Sequence, residues 1–110
     1  MDVDFVLQQI KDGNKFSFSE KSDPLIPRRL RRLPSGYNCA TDIWYENFLY
    51  SIDKNRSCDK FFIFTSAEDE HDKYNWWINI DTKEICYNAS SSMNNVVEKD
   101  NMTDFNFVFP

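Results

Sequence analysis

Apolar and polar positions recur along this chain with two different periods, and each period predicts a different kind of element. In Asp4-Phe5-Val6-Leu7-Gln8-Gln9-Ile10-Lys11, Phe5, Val6, Gln9 and Ile10 fall on one helical arc, and Gly13 stands where a helix would stop, so a short helix is predicted over 3–12. Lys15-Phe16-Ser17-Phe18-Ser19 alternates with period two, which predicts an edge or hairpin strand with one buried face. Residues 20–38 carry three of the four prolines and one of the two glycines, and read as a loop with at most one helical turn. After the capping signal Thr41-Asp42, the residues Trp44, Phe48 and Ile52, with Tyr45 and Leu49, repeat at spacings of four, which predicts a second helix reaching Ile52.

The second half reads as strands. Lys60-Phe61-Phe62-Ile63-Phe64-Thr65 is a continuous β-prone run of the kind expected of a central strand covered on both faces. Tyr74, Trp76, Ile78 and Ile80 alternate with Asn75, Trp77 and Asn79, and Glu84 to Asn88 follows a short loop at Asp81 to Lys83, so a β-hairpin is expected. Residues 90–95 are polar and read as a loop, and Phe105 to Phe109 alternates again as a last strand that closes the sheet. Strands following strands, with helices near the front, argue for an α+β fold with a mostly antiparallel sheet of about five strands and two packed helices.

Composition narrows this further. The 110 residues suffice for one domain, 1–110, and 41% hydrophobic residues with 16% aromatics are too many for a disordered chain. Ten Phe, five Tyr and three Trp must supply much of a thin core. The longest apolar runs, such as Phe61 to Phe64, have four members, far short of the roughly 20 needed to cross a bilayer, so no membrane association is expected. The acidic start Met1-Asp2-Val3-Asp4 lacks the positive region of a secretory signal, and Cys39, Cys58 and Cys86 match neither a paired disulfide framework nor a CxxC ligand set. Three reduced, buried thiols in the cytoplasm are expected.

The net charge of −5 is unevenly spread: residues 1–55 hold eight acids and eight bases, whereas residues 56–110 hold ten acids and five bases. Arg28, Arg29, Arg31 and Arg32 form a basic cluster, and Glu68, Asp69, Glu70 and Asp72 surround the sole histidine, His71, in an acidic one. An acidic chain repels phosphate backbones, so direct nucleic-acid binding is disfavoured, and the natural partner is a cationic protein whose approach the charge accelerates. The arginines read either as a functional patch or as internal partners of the excess acids.

Chemistry is sparse. The chain has no Gly-rich phosphate loop, GxSxG elbow, HExxH, EF-hand loop or Cys/His zinc pattern, so neither a cofactor nor a metal is expected. His71, inside a solvated acidic stretch, reads as a surface residue more readily than as a general base. Consecutive acids in a loop rarely converge on one ion; the run reads either as a solvated connection between strands or as closely spaced negative charges facing a cationic pocket. Adjacent Trp76 and Trp77 in a strand point to opposite faces, which makes Trp76 a core residue and Trp77 a candidate anchor for a partner. The surplus aromatics are equally compatible with a homodimer.

A small, acidic, aromatic-rich α+β chain with no catalytic constellation, carrying Trp76-Trp77-Ile78-Asn79-Ile80-Asp81-Thr82-Lys83-Glu84-Ile85, resembles the immunity proteins that bacteria make against their own secreted or contact-delivered toxins. The resemblance implies stoichiometric inhibition of a cognate basic toxin domain, often a nuclease, by binding over or near its active site rather than by catalysis. Glu68, Asp69, Glu70, Asp72 and Trp77 are the candidate contact residues. The competing readings are an acidic mimic of nucleic acid that inhibits a DNA-binding protein, and a small enzyme centred on His71.

Overall fold

The helix α1 (Val3–Lys11) begins at a capping aspartate: the Asp4 backbone N–H donates to Asp2 Oδ1 at 3.0 Å, satisfying one of the donors that a helix start leaves open. Asp4 in the first turn and Lys11 in the last turn complement the helix dipole. The helix stops at Asp12, and Gly13, at φ +91°, turns the chain in the left-handed region while its N–H donates to Ile10 O at 3.0 Å. α1 buries Val6, Leu7 and Ile10, and Phe5 is 54% exposed. The inward arc is thus centred on the Val6 to Leu7 side, and Leu7 takes the place in it expected of Phe5.

The computed structural model describes residues 2–21, 48–67, 76–88 and 97–110. They form β1 (Ser17–Glu20), β2 (Tyr50–Ile52), β3 (Phe61–Ser66), β4 (Trp76–Asn79), β5 (Glu84–Asn88), β6 (Val97–Asn101) and β7 (Phe105–Val108), with a 3-10 turn at Met102–Asp104 between the last two. A five-stranded sheet has the order β2-β3-β4-β5-β6, every neighbouring pair antiparallel, and β1 pairs antiparallel with β7 in a two-stranded ribbon. Phe16 joins the two, exchanging backbone hydrogen bonds with Tyr50 at 2.9 and 2.7 Å. Helix α1 and the ribbon contribute Val6, Leu7, Ile10, Phe16, Phe18, Phe105 and Phe107 to the core that also holds Tyr50, Phe62, Phe64, Trp76, Ile78 and Ile85 of the sheet.

Aromatic rings fill this core. Phe18 lies 5.0 Å from both Tyr50 and Trp76 between ring centroids, and Trp76 lies 4.4 Å from Tyr87. Such pairs add about 0.5 to 1.5 kcal/mol each beyond the area they bury.

The α+β class and the mostly antiparallel five-stranded sheet agree with the sequence reading; several details do not. The second expected helix fails where it is described, because Tyr50–Ile52 pairs with Phe64, Thr65 and Ser66 as β2. The run Leu49-Tyr50-Ser51-Ile52 carries a period-two reading beside the period-four one, and pairing with β3 selects it: Tyr50 is 1% exposed and Leu49 40%. The start of that predicted helix lies outside the described residues, as do Trp44, Cys39, Tyr74 and the arginine cluster. β3 is an interior strand, second in the order, and its two faces differ: Phe62 and Phe64 are buried, whereas on the other face Ile63 is half-buried and Phe61 is 37% exposed. The last strand does not close the main sheet; it pairs with β1. β6, with the sequence Val-Glu-Lys-Asp-Asn, was not anticipated, because its charges carry a weak strand signal and suit a sheet edge. Of the expected buried thiols, Cys86 is buried, whereas Cys58 is exposed.

Candidate docking face

Because side chains alternate along a strand, burying Phe62, Phe64, Trp76 and Ile78 directs Phe61, Ile63, Trp77 and Asn79 to the opposite face of the sheet. Register aligns them in rows: Ile63 stands opposite Trp77, Trp77 opposite Cys86, and Cys86 opposite Lys99, while Phe61 stands opposite Asn79 and Asn79 opposite Glu84. A concavity of about 360 Å³ opens on this face, lined by Arg56, Phe61, Ile63 and Trp77. Phe61 is 37% exposed, and Ile63 and Trp77 are half-buried.

The wall carrying Arg56 is built by the turn between β2 and β3. Asp53 N–H donates to Ile63 O at 2.8 Å, extending the pairing one residue beyond Ile52. The Asp53 carboxylate then organises the turn, with Oδ1 accepting from the backbone N–H groups of Asn55 at 3.0 Å and Arg56 at 3.3 Å, and Oδ2 accepting from Arg56 Nε at 2.7 Å. Ser57 completes the seam: its hydroxyl accepts from Ile63 N–H at 2.9 Å and donates to Ile63 O at 3.2 Å. Short polar side chains thus replace a missing strand neighbour, which is how a three-residue strand can border a six-residue one.

The electrostatics of this face are local and balanced. The Arg56 guanidinium, by hydrogen bonding to Asp53, holds that carboxyl below its ordinary value of 3.8 against the opposing effect of burial. Cys86 behaves oppositely: burial pushes its thiol up to about 11, the charge of Glu84 adds to the rise, and Lys99 opposes it. At neutral pH Cys86 is therefore a protonated thiol and a poor nucleophile. The described lining of the concavity is therefore an aromatic and aliphatic floor beside a guanidinium paired to Asp53. Among the described residues no group of three or more His, Cys, Asp or Glu could hold a metal ion, and no helix is long and apolar enough to cross a membrane.

Of the residues singled out in the sequence, Trp77 lies in this concavity. Glu68, Asp69, Glu70, His71 and Asp72 lie outside the described residues, in the stretch between the end of β3 and the start of β4. Arg56, Phe61 and Ile63 were not anticipated at the site. The alternation of β3 contains the signal for Phe61 and Ile63, but it became readable only with the register that sets Ile63 against Trp77. Arg56 sits in Asp53-Lys54-Asn55-Arg56-Ser57, where the apolar pattern breaks and the sequence reads as a loop.

Compared with known protein families, curated proteins and solved structures, the chain matches none.

Proposed function

We propose that this chain is a stoichiometric binding protein that docks a cationic protein on the outer face of its sheet, and that it serves as an immunity protein neutralising a cognate toxin domain, a nuclease by preference, in the cytoplasm of the cell that makes the toxin. The observation that carries the reading is the concavity formed by Phe61, Ile63 and Trp77 on the sheet face turned away from the core. Exposed aromatic clusters of this kind are where binding energy concentrates when a partner excludes water. The net charge of −5 supports a cationic partner, because long-range attraction raises the association rate while the apolar anchor slows dissociation. No bond is made or broken in this scheme, and no cofactor takes part.

The test is to mix the purified protein with the product of the toxin-like gene directly preceding its own and measure stoichiometry and affinity by calorimetry. A one-to-one complex that suppresses the toxin's activity is expected, and Trp77→Ala should weaken it by about 30-fold or more, equivalent to about 2 kcal/mol at a central anchor. No complex with that product, or turnover of a substrate by this protein alone, would overturn the proposal.

A further inference from the structure

We draw no further inference here: the strongest candidate, the groove of about 340 Å³ between α1 and the β4–β5 turn, floored by Leu7, Phe62 and Ile80, has Asp4, Lys11, Asp59 and Lys83 among its lining residues and so carries charges of both signs, and nothing in the structure shows what would occupy it.

Discussion

Trp76 and Trp77 are neighbours in one strand, yet they belong to two different environments. Trp76 is buried among Phe18, Phe64 and Tyr87, on the face covered by α1 and the β1–β7 ribbon. Trp77 borders an open concavity with Phe61 and Ile63, beside a guanidinium already paired to Asp53. Neither residue type nor strand propensity distinguishes the two faces, since each carries phenylalanine, isoleucine and tryptophan from β3 and β4. The difference arises from what is packed against each. Helix α1 and the ribbon cover the face that holds Trp76, whereas among the described residues of the opposite face Phe61 is exposed, Trp77 is half-buried and Cys86, in the row of Trp77, is buried.

The most severe way to break this comparison is to truncate the two tryptophans in turn. Trp76→Ala should destabilise the fold by about 3 to 5 kcal/mol, which a small domain of ordinary stability barely survives; Trp77→Ala should cost no more than about 1.5 kcal/mol. Urea denaturation followed by circular dichroism measures both. Equal losses would show that the two faces are energetically alike and that Trp77 is a core residue.

Cysteine labelling sharpens the contrast within the outer face. Cys58 is exposed, whereas Cys86, one strand over from Trp77, is 3% exposed with its thiol near 11. A thiol raised to about 11 holds little thiolate at pH 8 and Cys86 is also buried, so iodoacetamide should alkylate the exposed Cys58 by far the faster of the two. Peptide-resolved mass spectrometry over a time course reads the ratio. Comparable rates would mean that the concavity extends across β5 and that the Trp77 row is open along its length.

The rim of the concavity has a pH signature. The folded-state pKa of Asp53 is lowered, so its contribution to stability is present in full above the unfolded value near 3.8 and disappears as pH falls through the lower folded value. Asp53→Asn keeps an oxygen for the turn but loses the charge that holds Arg56. The wild-type protein should therefore be the more stable of the two at pH 7, with the gap closing below about pH 4. A gap that stayed constant down to pH 2 would show that the Arg56 contact contributes nothing measurable.

The smallest effect is expected at the turn that sets the register between the tryptophans and β5. Lys83 adopts φ +59°, a left-handed conformation that costs a side-chain-bearing residue about 1 kcal/mol, and its ammonium lies 3.7 Å from the exposed Asp4 carboxylate. Lys83→Gly removes the strain and loses an ion pair of little worth, so a net gain of about 0.5 kcal/mol in thermal or urea denaturation is expected. A loss instead would indicate that the link between α1 and the turn helps hold α1 over the inner face.

The same alternation explains how much of this molecule could be read in advance. Helix α1 and strands β1, β3, β4, β5 and β7 were legible because each has a clear period, a cap or a turn signal such as Asp81 to Lys83. The described end of the second predicted helix differs because the four residues Leu49 to Ile52 fit both periods, and β6 escapes because an edge strand that tolerates glutamate, lysine and aspartate sends little apolar signal. At the docking face, the emergence of one of two adjacent tryptophans could be foreseen. Its companions could not, since Phe61 and Ile63 join Trp77 only through inter-strand register, and Arg56 joins them only through the hydrogen bonds of Asp53.

The sequence alone determined that β3 and β4 each divide their side chains into two sets on opposite faces, because a strand has period two whatever surrounds it. Only the tertiary structure decided which outer-face side chains gather beside Trp77, which strand pairs with β7, and whether residues near Tyr50 extend or coil. Where α1 and the β1–β7 ribbon come to rest is a property of contacts between segments far apart in the chain, which no local period encodes.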